Sequence, residues 1–176
     1  MTAPVTPPPS DAEHCAAALA QLDRLQAFFG RVEGKASFLF AINLALLGSV
    51  AVATPFKDPF SPAGVCGLIA GLLLVFSMVN LYAAFYPHLA NPRPSVLYFA
   101  DIARMTAADY MARVRSDTPA DRADDALCQL WRNAQILDKK FKHSRSGFIL
   151  TGAAIPFWLW LIALTVMRTG KLPGVG

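Results

Sequence analysis

The chain has 176 residues, of which 55% are hydrophobic and 16% charged, with a mean hydropathy of +0.40. A chain this apolar and this short cannot wrap its hydrophobic residues in its own polar ones, which excludes an ordinary soluble domain. The formal net charge of +4 and pI near 9.2 suggest nucleic acid, but the densest cationic cluster, Lys139, Lys140, Lys142 and Arg145, adjoins an apolar stretch. Anionic headgroups are its expected partner there, so no nucleic-acid partner is expected.

Residues 1–9 are proline-rich and hold no apolar run, which predicts a disordered tail and not a signal peptide. Ser10 followed by Glu13 has capping-box spacing. Beyond it Cys15, Ala18, Leu22, Leu25, Phe29 and Val32 recur at steps of three and four. This predicts a helix over 10–35 with one apolar seam. Gly30 and Gly34 weaken it and mark a candidate bend.

Three charge-free apolar stretches follow: Ser37–Thr54, Ala63–Tyr86 and Gly147–Met167. Each has about 20 residues, which at about 1.5 Å of rise matches the roughly 30 Å hydrocarbon core of a bilayer. They predict transmembrane helices over 36–54, 63–87 and 147–167. Small residues lie four apart at Ala41, Ala45, Ser49 and Ala53 on the first, and at Ala63, Gly67 and Gly71 on the second. That spacing lets helices approach closely in lipid. Asn43 and Asn80 fall at similar depth, roughly 10 Å inside, where polar groups need partners. One interhelical hydrogen bond is the expectation, with a polar ring lining an oligomeric pore as the sharper reading.

Residues 88–146 separate the second and third spans. Asn91-Pro92-Arg93-Pro94 is a turn that ends the second span's helix. Ser95–Met105 and Thr106–Arg115 read as two short helices, the second capped by Thr106 with Asp109. Thr118-Pro119 with Asp121 opens another. Ala123, Leu127, Leu130, Ala134, Leu137 and Phe141 then form a heptad seam. That seam needs a partner, either the Leu22–Phe29 face or a second copy. No breaker lies between Pro119 and Gly147. The helix is therefore expected to run into the third span over about 49 residues, roughly 70 Å, with a kink at Pro156. Residues 168–176 form a short tail. The expected architecture is all-α: an integral membrane protein with three transmembrane helices and a cytoplasmic helical bundle.

Three Lys/Arg precede the first span and ten lie between the second and third. Only Lys57, Arg168 and Lys171 fall in the other segments. Segments rich in Lys and Arg stay in the cytoplasm, so the N-terminus is expected inside and the C-terminus outside. Cys15, Cys66 and Cys128 lack redox or metal spacing and are expected as reduced thiols. His14, His88 and His143 lie far apart, and there is no phosphate loop or nucleophile elbow. An enzyme is not expected, and neither is a metal.

Glu33-Gly34-Lys35-Ala36-Ser37-Phe38-Leu39, Val96-Leu97-Tyr98-Phe99-Ala100-Asp101-Ile102, and Gln135-Ile136 with Lys139 and Phe141 occur in that order. Together they resemble the membrane effector of Pycsar anti-phage systems, from about Leu22 to the third span. The resemblance implies a bacterial inner-membrane protein, for which the Lys and Arg distribution puts the C-terminus in the periplasm. It implies activation by a cyclic pyrimidine nucleotide, cUMP or cCMP, made by a partner pyrimidine nucleotide cyclase on infection. It also implies damage to the membrane that ends in abortive infection. Self-association through the helix seams is expected, giving a homo-oligomer among membrane lipid.

No β-rich nucleotide-binding module is present in the sequence, so the ligand is expected in the helical region or between protomers. The resemblance transfers no binding residues. A cyclic nucleotide needs a cation or helix N-terminus, an aromatic wall and amides for the base edge. Lys35, Tyr98, Asp101, Arg132, Gln135 and Lys139 can supply these. The alternative is a non-enzymatic membrane adaptor whose helical bundle docks a partner protein.

Overall fold

The computed structural model describes residues 10–86 and 94–170. The expected tail at 1–9, the residues Asn91-Pro92-Arg93 of the expected turn, and 171–176 lie outside the described residues. Five helices form: α1 (Asp11–Ala53), α2 (Pro62–Phe85), α3 (Phe99–Ile102), α4 (Ala107–Ser116) and α5 (Pro119–Thr169). No strand occurs among the described residues. α1, α2 and α5 are long and apolar enough to cross a membrane.

Local chemistry sets the helix starts. The Ser10 N–H donates to Glu13 Oε2 at 2.7 Å, and the Glu13 N–H donates to Ser10 Oγ at 3.4 Å. Thr118 with Asp121 repeats the device at α5, and at α4 the Asp109 N–H donates to Thr106 Oγ1 while the Thr106 hydroxyl donates to the Asp109 carboxylate. At α2 the cap is Ser61, whose Oγ accepts from the Gly64 N–H at 3.2 Å, with Pro62 as the first helical residue. α1 passes through Gly30 and Gly34 as one helix of 43 residues, and α5 passes through Pro156 as one of 51.

Two sequence expectations are corrected. α2 ends at Phe85, ahead of the expected turn, with Tyr86 extended at φ −57° and ψ 126°. Tyr86 precedes Pro87, and the residue before a proline is disfavoured in the helical region. The helix expected over Ser95–Met105 shrinks to the four residues of α3. The residues ahead of α3 are instead held as a turn bonded by side chains. Ser95 Oγ accepts from the Leu97 and Tyr98 N–H groups at 3.0 and 3.1 Å.

The described residues divide into two compact units: 10–30 with 94–137, and 31–86 with 138–170. In the first, Cys15, Ala18 and Leu22 of α1 are buried, following the predicted seam. The heptad seam of α5 is only partly the buried face: Ala123 is buried and Leu130 and Leu137 are half-buried, but Leu127 and Phe141 are 48% and 58% exposed, and the buried face runs through Ala123, Ala126, Gln129 and Arg132. Trp131, beside this seam, is 62% exposed. Apolar residues on both faces of α5 gave the periodicity two solutions, and small Ala126 permits the closer approach.

In the second unit α1 and α5 run parallel and α2 runs antiparallel to both. The register is read from contacts between side chains and backbone. Lys140 meets Glu33 and the Ala84 carbonyl, Thr151 meets Asn43, and Trp158 Nε1 donates to Ser49 Oγ at 2.7 Å. Val50, Ala53, Ala63, Ala70, Leu74, Ala154 and Leu161 form the core.

Of the predicted small-residue stripes, the one on α2 and the Ser49–Ala53 end of the one on α1 make contacts. A Cβ at Gly67 would overlap Thr54 Oγ1, while one at Gly71 would meet Val50 Cγ1 at an ordinary 3.8 Å. Ala41 and Ala45 on α1 face outward.

Candidate functional site

The segment before α3 is pinned by two carboxylates. Ser95 Oγ donates to Asp125 Oδ2 at 2.8 Å, and the Val96 N–H donates to the same oxygen at 3.1 Å. The Ser95 N–H donates to Asp101 Oδ2 at 3.1 Å. Ser95 is 1% exposed, so this network replaces the hydration of a buried turn.

Its consequence is the placement of Tyr98, the residue preceding α3. The Arg132 guanidinium stacks over the Tyr98 ring, 4.5 Å from its centroid, and the Phe99 ring meets Tyr98 edge-on at 5.0 Å. A cation over an aromatic face is attractive and stiffens both partners.

Beside Tyr98 opens a cleft of about 340 Å³. Its walls are Leu22 and Phe29 of α1 with Leu97, Tyr98 and Phe99; its polar groups are Gln26, Gln129 and Asn133. Leu22, Gln26 and Phe29 share one face of α1 because they are three and four apart, as Gln129 and Asn133 do on α5. An apolar, aromatic cleft of this size with a few amides suits a flat heterocycle. A second cleft in this unit, about 350 Å³, is lined by Asp117, Asp121, Asp124, Asp125 and Arg113. Its acid surplus disfavours an anion. The Thr118 hydroxyl, and next its backbone N–H, hold the Asp121 carboxyl below the usual carboxylate range.

The six residues expected to form a ligand site are not all gathered in one unit. Tyr98 and Arg132 come together, and Asp101 serves the adjacent turn. Gln135 is exposed on α5 and does not line the cleft. Lys35 and Lys139, both exposed, belong to the second unit. Gln26, Phe29 and Asn133 were missed, since only the fold brings α1 and α5 to either side of Tyr98.

The second unit holds a buried polar ring. Asn43 Nδ2 donates to Ser77 Oγ at 2.7 Å, and Thr151 Oγ1 donates to Asn43 Oδ1 at 2.8 Å. Ser77 Oγ and Thr151 Oγ1 lie 2.9 Å apart, and Ser77 Oγ reaches the Gly147 carbonyl at 2.8 Å. The single Ser77 hydroxyl proton serves either the Gly147 carbonyl or Thr151 Oγ1; turned to Thr151, it closes a cycle in which each of the three side chains donates once and accepts once. One member comes from each long helix.

The expected Asn43–Asn80 bond is therefore corrected. Asn80 Nδ2 donates instead to the Phe76 carbonyl of its own helix at 2.9 Å. Ser77 and Thr151 carried no sequence signal beyond being polar within apolar stretches.

Near the Glu33 end of this unit sits Lys140. Its Nζ lies 2.8 Å from Glu33 Oε1 and donates to the Ala84 carbonyl at 2.8 Å. The ammonium thus satisfies an end carbonyl of α2 and ties it to α1. Lys140 is 6% exposed, so its expected role as a headgroup anchor is corrected.

A family model described as the Pycsar effector protein domain matches residues 17–167. No curated protein and no solved structure matches the chain. The matched span takes in the Tyr98 cleft, the Asn43–Ser77–Thr151 ring and nearly all of the three long apolar helices. The chain belongs to the Pycsar effector protein family, transmembrane effectors of anti-phage defence.

Proposed function

We propose that the chain is a ligand-gated effector of the bacterial inner membrane, activated by a cyclic pyrimidine nucleotide, cUMP or cCMP, that binds the Tyr98 cleft. The observation that carries this reading is the cleft's chemistry. Tyr98 and Phe29 offer aromatic faces to a pyrimidine, and Gln26 and Asn133 offer amides that both donate and accept, matching a uracil or cytosine edge. Arg132 behind Tyr98 biases the cleft toward an anionic ligand. A pyrimidine nucleotide cyclase is the functional partner, signalling through the nucleotide without direct contact.

The unit of 10–30 and 94–137 then lies in the cytoplasm as a helical bundle. Ten Lys/Arg between the second and third apolar stretches support this, with the C-terminus in the periplasm. The chain acts without catalysis, impairing the membrane as a homo-oligomer. Exposed Leu127 and Trp131, one turn apart on α5, are the face offered to a second copy.

Co-expression tests the proposal. Cells carrying the chain and a pyrimidine nucleotide cyclase depolarise, and cells carrying either alone do not. The paired variant Tyr98→Ala with Asn133→Ala abolishes depolarisation while the chain still inserts. Depolarisation that persists in the variant, or that needs no cyclase, refutes the reading.

A further inference from the structure

In the second unit, α1 and α5 flank a groove of about 450 Å³. One end carries Lys35, Arg145 and the Ser144 hydroxyl; the rest is walled by Phe38, Phe148 and Ile149. Lys35 and Arg145 each stand two residues before a charge-free apolar stretch. The Lys140 contacts to Glu33 and the Ala84 carbonyl bring the end of α2 close to where the charge-free stretches of α1 and α5 begin. That is headgroup depth for helices of this length.

The acids at this level are already used. Glu33 pairs with Lys140, and Asp138 pairs with Lys142 at 2.6 Å. Among the described residues neither Lys35 nor Arg145 has an ion pair or hydrogen bond. The groove therefore joins two uncompensated cations to an apolar slot whose phenylalanines, Phe38, Phe141 and Phe148, are 58–70% exposed.

We propose that this groove binds one anionic phospholipid, with its phosphate held by Lys35, Arg145 and Ser144 and one acyl chain laid along Phe38, Phe148 and Ile149. A zwitterionic lipid carries its own ammonium beside the phosphate and gains less from the two cations. At about 1 kcal/mol per cation, the preference for an anionic headgroup is about tenfold or more. Lys139, exposed but outside the groove, provides a control of equal charge.

The test is native mass spectrometry of the full-length chain in detergent, titrated with phosphatidylglycerol and phosphatidylcholine of matched acyl chains. The wild type retains phosphatidylglycerol about tenfold better. Lys35→Gln with Arg145→Gln brings the two lipids within about twofold, and Lys139→Gln keeps the full preference. Ile149→Trp fills the slot and lowers retention of both lipids with the cations intact. Equal retention by the wild type overturns the proposal, as does an equal loss from Lys139→Gln or unchanged retention in Ile149→Trp. Displacement of the lipid by millimolar inorganic phosphate or by cUMP also overturns it, since the cations then serve a soluble anion.

Discussion

Thr151→Val removes one hydroxyl from the buried ring at nearly constant volume. Asn43 Oδ1, which accepts from Thr151 Oγ1 at 2.8 Å, then loses its partner, and Asn43 is 0% exposed. Ser77 keeps both Asn43 Nδ2 and the Gly147 carbonyl, so the damage is confined to one acceptor. An orphaned buried polar group costs about 1–3 kcal/mol, while interhelical hydrogen bonds in membranes average about 0.6 and reach about 1.7. We expect a loss of about 1 kcal/mol.

Asn43→Leu adds bulk as well as removing the amide, so its own cost mixes two effects. The cycle of both variants removes that ambiguity. In the Asn43→Leu background there is no amide oxygen left to orphan, and Thr151→Val becomes nearly neutral. The coupling is about 1 kcal/mol, close to fivefold in the folded-to-unfolded ratio. Steric-trap unfolding of the full-length chain in bicelles measures all four proteins. Coupling indistinguishable from zero refutes the ring as a tie between helices. If Asn43→Leu abolishes depolarisation at unchanged stability, the ring serves a water path and not packing.

Gly67→Ala is expected to destabilise by about 1–3 kcal/mol because its methyl meets Thr54, whereas Gly71→Ala, with only Val50 nearby, stays within about 0.5 kcal/mol in the same unfolding assay. The pH dependence has a definite sign. The Ser10 backbone N–H and hydroxyl lower the Glu13 pKa, as the Thr118 hydroxyl and N–H lower that of Asp121. Both capping boxes therefore contribute fully above the ordinary carboxylate pKa and lose their contribution as pH falls through the lowered values. Glu13→Gln with Asp121→Asn should lower the melting temperature near neutrality and leave it unchanged in acid, which flattens the acid limb of a thermal-melt series. Leu127→Asp with Trp131→Ala should leave the helical circular-dichroism signal intact while removing cross-linked oligomers from membranes; undiminished cross-linking removes that face from the account.

What the sequence revealed and what it hid divide along contact range. Ser10 with Glu13, Thr106 with Asp109 and Thr118 with Asp121 are pairs three residues apart, so spacing alone located three helix starts. Long charge-free stretches likewise announce α1, α2 and α5. The shortened α3 was hidden because Asp125, 30 residues from Ser95, captures its turn. Ser77 and Thr151 lie 74 residues apart, and Asn43 and Thr151 lie 108 apart, so no local pattern marks the ring. Lys139 and Lys140 look alike in sequence; the helix rotation that buries one and exposes the other follows from packing against Glu33 and Ala84. The cleft was half legible. Tyr98 and Arg132 were identified by residue type, but Gln26 and Asn133 became candidates only once α1 and α5 flanked them.

Isothermal titration of the purified full-length chain with cUMP and cCMP tests the central claim most directly. The account predicts saturable binding of at least one pyrimidine nucleotide. It also predicts about tenfold or greater weakening in Tyr98→Ala and in Asn133→Ala, in line with the loss of one stacked base or one edge hydrogen bond. Absence of binding by both nucleotides, or binding that both variants retain at wild-type strength, would contradict it.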